Sequence, residues 1–304
     1  MSAPTDAMPR PARSGWLTSR RSKAILKRTV LYLLLALVAF FFAGPLYILL
    51  STSFKTMPEI QSGGLMSLPH EPTAQAWVTA WGEACIGITC GGLKGYFGNS
   101  MVMTIPAVLI SVMIGAINGY ALAKWPFPGA RFVFAALVAG NFVPFQVVLA
   151  PVAVTLRTLG LFGSVEGLVL IHVIYGIPIT TMLFRNFFLS VPNDLIKAAR
   201  IDGAGFFWIF FRIVLPLSPS VIVVALILQF TGIWNDFLFA VSFSNPSSAP
   251  MTVALNNLVN SNFGVKEYNV HMAATVIAAA PTLILYILLG RYFLRGMTAG
   301  AVKG

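Results

Sequence analysis

The chain reads as an all-α polytopic membrane protein with six transmembrane helices, on three observations. Hydrophobic residues make up 57% of its 304 residues and charged residues only 10%, against about 25% charged in soluble domains. Mean hydropathy is +0.83. The apolar stretches run for twenty residues or more without strand-like alternation, which fits helices crossing a bilayer rather than a transmembrane barrel.

Taken in order, residues 1–28 form a polar, Pro-bearing basic segment. Trp16, Leu17, Ile25 and Leu26 allow part of it to lie on the membrane surface; a disordered basic tail is the other reading. The spans fall at about 30–50, 101–122, 132–156, 165–188, 217–243 and 271–294, within a transmembrane domain of 29–294, and 295–304 is a short tail. The first span exceeds a signal-peptide core in length and is expected to be retained as an anchor, with Gly44-Pro45 as a bend. Gly115 and Gly119 give the second span a small-xxx-small contact strip. Pro144 and Pro151 interrupt the third span, and Pro178 lies in the fourth. The segment between the first two spans, Ser51 to Gly95, carries Trp77 and Trp81, suited to a membrane interface. It also carries Cys85 and Cys90, whose spacing allows either an intraloop disulfide or two free thiols.

Orientation follows from the basic residues. With the amino terminus inside, sixteen of the 20 Lys and Arg flank the spans on the inner side, leaving Lys55, Lys94, Arg157 and Lys266 outside. The positive-inside rule then places both termini in the cytoplasm. The same distribution accounts for the net charge of +11 and argues against nucleic-acid binding, because the charge is divided among membrane-flanking segments.

One polar interruption stands out at 190–216. Pro192 bars the fourth span from continuing, and Asn193 or Asp194 is placed to cap a short helix. Asp202-Gly203-Ala204 supplies a turn in which Gly203 is free to take positive φ. Phe206 to Val214 reads as a second short helix, stopped by Pro216. Two short helices held at the end of membrane spans form a knob that another protein can grip; an ordinary amphipathic surface hairpin would account for the helices alone.

No HExxH, no clustered Cys/His set and no carboxylate pair within a span occurs. Gly87 and Gly92 have the spacing of a phosphate loop, but Leu93 stands where Lys is required. An ATP-driven process would therefore need a partner ATPase; the chain is read as a transport subunit and not an enzyme, with no cofactor or metal. Polar residues inside spans face protein or a water-filled path. The candidates for a substrate pathway are Asn141, Gln146, Gln229, Trp234, Asn235 and Asp236, whose amides, carboxylate and ring suit the hydroxyls and apolar face of a sugar. Bridging between helices is the alternative for each, and is the favoured reading for Asn118 and His172. An ion-gradient-coupled carrier needs a titratable or cation-binding group in the membrane; only Asp236 and His172 qualify. A non-transporting scaffold gives no reason for the knob.

Ala198-Ala199, Asp202-Gly203-Ala204 and Ile213-x-Leu215-Pro216 resemble the coupling motif of bacterial ABC importer permeases. Asn99-Ser100, Gly119-Tyr120-Ala121-Leu122-Ala123, Trp234-Asn235-Asp236-Phe237 and the tail from Arg295 to Gly304 are similar to carbohydrate importers, most of all the maltose-type second permease. Ala254-Leu255-Asn256-Asn257-Leu258 and Gly264-Val265-Lys266-Glu267-Tyr268-Asn269 further resemble permeases for glucose or mannose. The resemblance implies the type I ABC importer permease fold with a cytoplasmic coupling helix. Asp194, Lys197, Ala198, Ala199, Asp202, Gly203, Ala204 and Pro216 would then contact an ATPase. Lys197 stands where the family often has Glu, which removes any ion pair that Glu would make. The implied partners are a second permease in a heterodimer, two ATPase subunits, an extracytoplasmic sugar-binding protein and the lipid membrane. The implied cargo is glucose or a related mono- or oligosaccharide.

Overall fold

A computed structural model describes residues 14–87, 89–260 and 266–301, with side chains from 23 to 292. Residues 1–13 of the basic segment, Gly264 and Val265, and the end of the tail from Val302 lie outside the described residues. The chain is helical almost throughout. Helix α1 (Ser14–Ser53) is followed by α2 (Met57–Ser62) and α3 (Gln75–Gly82). A two-residue hairpin, β1 (Cys85–Ile86) and β2 (Thr89–Cys90), pairs antiparallel with Cys85 opposite Cys90. The two cysteines are joined in a disulfide. Then come α4 (Lys94–Lys124), α5 (Ala130–Gly140), α6 (Phe145–Thr158), α7 (Val165–Phe188), α8 (Asn193–Ile201) and α9 (Phe206–Ile209), the last continued by a π-helical turn over Phe210–Val214. Helices α10 (Pro219–Trp234), α11 (Leu238–Phe243), α12 (Met251–Val259) and α13 (Tyr268–Ala301) complete the order.

Four of these helices are long and apolar enough to cross a bilayer, and two bent pairs raise the number to six. Helices α5 and α6 meet at 101°, where Pro144 precedes α6 and denies the chain a continuing amide donor. The stretch Phe206–Val214 meets α10 at 93°, across the turn holding Pro216. The expected span over 217–243 is not one helix: α10 stops at Trp234. The reason is Asp236, whose carboxylate receives the amides of Phe239 (3.4 Å) and Ala240 (3.0 Å) and so starts α11 afresh. Helix extends into both end segments: α1 begins at Ser14 within the basic segment, and α13 continues through Gly296 to Ala301. The propensity cost of each tail glycine is about 1 kcal/mol, which a long helix already propagating can absorb.

The centre of the bundle is the α4–α7 pair. Cβ atoms built on Gly115 and Gly119 would meet Thr180 and the Phe184–Arg185 backbone at 2.1 Å and 2.7 Å, so only glycine permits this approach. Close approach is what holds helices together in lipid, where apolar burial alone supplies little drive. The Thr180 hydroxyl adds a polar tie, lying 3.0 Å from the Ser111 carbonyl and 2.8 Å from that of Gly176. At one end of the pair, Tyr120, Phe184, Phe188 and Phe210 are fully buried and join the spans to the α9 turn. At the opposite end a second core packs Ala76, Ala80 and Leu93 against Met251, Ala254 and Ala273. Asn99 and Ser100 lie in this second region: Asn99 donates to the carbonyls of Ser247 and Ala249, and Ser100 Oγ receives the Met251 amide at 2.8 Å.

Candidate functional site

Two groups of predicted residues lie at opposite ends of the bundle. The first is the knob formed by α8, the turn at 202–205 and α9. Helix α8 is amphipathic, with Ile196 and Ala199 buried against the spans and Leu195 and Ala198 exposed. Gly203 adopts φ +83°, the left-handed conformation that ends a helix most readily at glycine. Its amide closes on the Arg200 carbonyl at 3.0 Å, and the Ala204 amide on that of Ala199 at 2.9 Å. The turn folds α9 back beside α8 and leaves a groove of about 550 Å³, with Ala198, Ala199, Asp202, Gly203, Ala204 and Trp208 in its walls. Pro216 lies just beyond, in the turn that leads to α10. Asp194 and Lys197 are largely exposed and face each other at 3.6 Å, so Lys197 has a partner within its own helix. An exposed pair of this kind contributes little to stability.

Capping of α8 differs from the expectation. Its N-cap is Pro192 and no side chain caps it. Asn193 turns instead toward α4, where its Oδ1 accepts from Lys124 Nζ at 2.7 Å. Lys124 is buried and also donates to the Val191 carbonyl at 2.6 Å. Sequence reading assigned no role to Lys124; the signal available was a cation at the end of an apolar span, directly before Trp125.

The second group surrounds the α10–α11 break. Gln229 is buried, with Nε2 3.4 Å from the Gly176 carbonyl on α7. Trp234 is fully buried: its indole N–H donates to the Ala278 carbonyl on α13 at 2.8 Å, and its ring stacks on Phe230. Asn235 is exposed and donates to the Thr231 carbonyl of its own helix. Asp236 gathers three elements. Its carboxylate caps α11, its carbonyl accepts from Thr252 Oγ1 of α12 at 2.6 Å, and its Oδ2 lies 3.7 Å from Nε2 of the buried His172 on α7. Asn141 and Gln146 are exposed on either side of the α5–α6 break, away from these contacts. Four of the six pathway candidates therefore lie along one helix and its end, three of them tied to neighbouring helices. Among the described residues no group of three or more His, Cys, Asp and Glu is assembled for a metal ion.

The chain as a whole has counterparts among known proteins. The family described as "Binding-protein-dependent transport system inner membrane component" matches residues 99–299. The chain belongs to this family. This permease is 34% identical, over 91% of its own length and 94% of the other's, to the xylose/arabinose import permease protein XacI of Haloferax volcanii. The diacetylchitobiose uptake system permease protein NgcG of Streptomyces coelicolor is 30% identical over 85% of this chain and 83% of that one. A probable ABC transporter permease protein of Pyrococcus horikoshii is 45% identical over 58% of this chain, a match spanning 63% of that protein. In three dimensions the permease aligns with a bacterial ABC transporter involved in the import of the acidic polysaccharide alginate, at TM-score 0.74 and 21% identity over 94% of its length. The fold is that of a type I ABC importer permease, a multi-pass inner-membrane transport subunit rather than an enzyme. The resemblance to carbohydrate-importer permeases read from the sequence agrees with these relatives.

Proposed function

We propose that this permease forms half of the translocation pathway of an ATP-driven sugar importer and that α8 and α9 couple it to a partner ATPase. A second permease supplies the other half, two ATPase subunits sit beneath the pair, and an extracytoplasmic binding protein delivers the sugar. Both termini are cytoplasmic, as the distribution of basic residues favours. The cargo is glucose or a related mono- or oligosaccharide; relatives named for xylose, arabinose and diacetylchitobiose support the sugar class.

The observation that carries the reading is the groove at Gly203. It is concave, bordered by small residues and joined by Phe210 and Tyr120 directly to the spans. A rigid protrusion from another subunit seated there would move α8 and the bundle end together. Binding protein and ATP drive the cycle through their differential affinity for the inward- and outward-facing states. Asn141, Gln146, Gln229, Asn235 and Asp236 are the residues proposed to meet the sugar or to shape its path, with Trp234 as an aromatic wall.

The test is Gly203→Asp. A Cβ at 203 meets no atom within 4 Å, so the substitution costs only the strain of a non-glycine residue at positive φ, on the order of 1–3 kcal/mol, and directs a charge into the groove. The expected outcome is an intact permease in the membrane with uptake lost and ATP hydrolysis no longer linked to it. Proteoliposomes containing the purified complex, assayed with labelled glucose and xylose, supply the measurement. Normal uptake by the variant, or uptake that follows a proton or sodium gradient without ATP, overturns the proposal.

A further inference from the structure

We infer that Lys124 and Arg200 are positioning residues that clasp both ends of α8 to the end of α4, so that α8, α4 and α7 move as one body. The inference rests on the coupling role proposed for α8 and α9, and adds the route by which motion there reaches the spans.

At the start of α8, the buried Lys124 ammonium donates to the Val191 carbonyl at 2.6 Å and to Asn193 Oδ1 at 2.7 Å. Its partners are a carbonyl and an amide, and each bond has an ionised donor, which makes it roughly twice as strong as a neutral one. At the far end of α8, the Arg200 guanidinium donates to the Lys124 carbonyl at 3.2 Å and lies 3.8 Å over the Trp125 ring. Trp125 packs in turn on Phe206 of α9, with ring centroids 5.2 Å apart. One residue pair at the end of α4, Lys124-Trp125, therefore holds the first residue of α8, its last turn and the start of α9. Two attachments separated along a nine-residue helix prevent it from pivoting about either one. The α4–α7 contact through Gly115 and Gly119 carries the constraint onward, because the Thr180 side chain and the Phe184–Arg185 segment sit directly against the two glycines and leave no slack. A helix linked to the bundle only by the loop at 189–192 would tilt by itself.

The test uses the full complex as purified, with spin labels at Ile201, which is exposed on α8, and Met113, exposed on α4. The native chain is expected to give one narrow distance, unchanged between the nucleotide-free complex and the complex trapped with ATP and vanadate. Asn193→Ala combined with Arg200→Gln alters two exposed side chains and leaves the buried core intact; it is expected to broaden the distribution or add a second distance on trapping. Lys124→Met should do the same and Lys124→Arg should restore the narrow distance, a rescue that a bulk packing role would not give. A double variant indistinguishable from the native chain, or a native distance that itself changes on trapping, overturns the inference. Absence of any ATPase from the purified native complex defeats the coupling role instead, and the width of the distribution in native and variant chains still decides the clasp.

Discussion

Gly203 and Gly115 are both glycines on which a role depends, for opposite physical reasons. At 203 the backbone conformation requires glycine and the surrounding space is open; at 115 the conformation is ordinary and the space is absent. Substitutions there should separate docking from folding. Gly115→Val forces α4 away from α7 and is expected to lower the stability of the complex by about 1–3 kcal/mol, the usual penalty for overpacking; thermal unfolding in detergent measures it, and an unchanged midpoint would contradict the close contact. Asp236 tests a different role. If its carboxylate mainly caps α11, then Asp236→Asn, which keeps an acceptor, should assemble nearly normally, while Asp236→Ala loses about 1 kcal/mol and with it part of the assembled complex. Asp236→Ala that assembles fully yet takes up less sugar would favour a direct pathway role. Residue by residue, the sequence disclosed the glycines of the contact strip and the turn, because glycine spacing has few physical meanings. The work of Lys124, Asn193 and Arg200 was not legible, since each acts on a residue far away in the chain and an isolated cation near a span end carries no sign of its acceptor.

At the scale of elements, four of the apolar runs coincide with single long apolar helices, whereas the breaks in the others were harder to read. Pro144 announced the α5–α6 break because a proline cannot donate and disfavours helix in the residue before it. The break after Trp234 carries no proline or glycine, and hydropathy remains high on both sides. There the Asp236 carboxylate starts a new helix by receiving the Phe239 and Ala240 amides, and its contacts with Thr252 of α12 and His172 hold the junction in place. The π-helical turn over Phe210–Val214 was equally hidden: it is the local adjustment that brings Phe210 onto Tyr120, and such turns have no propensity signature of their own. The cysteine pair left two readings open until the β1–β2 hairpin set Cys85 opposite Cys90.

Across the whole molecule, the bundle is packed unevenly. The apolar core of α1 buries nothing against the rest of the chain, whereas half of the corresponding window in α4 and in α7 is buried. The α4–α7 pair with α10 is thus the mechanical centre, and the exposed faces of α1 and α13 are left for lipid or another subunit. In this arrangement α4 holds the knob at one end and packs on α7, which reaches the Asp236 junction at the other end through His172. Force applied at α8 then reaches the α10–α11 break without passing through a loop. The account's central claim is that a separate ATPase grips the knob on the cytoplasmic side. A photo-activated cross-linker placed at Leu195, exposed beside the groove, tests it most directly in intact membranes. The predicted result is a covalent adduct with an ATP-hydrolysing subunit, whose yield changes when ATP is bound; labelling of Leu195 by an impermeant reagent from outside the cell, or an adduct with no such subunit, would contradict it.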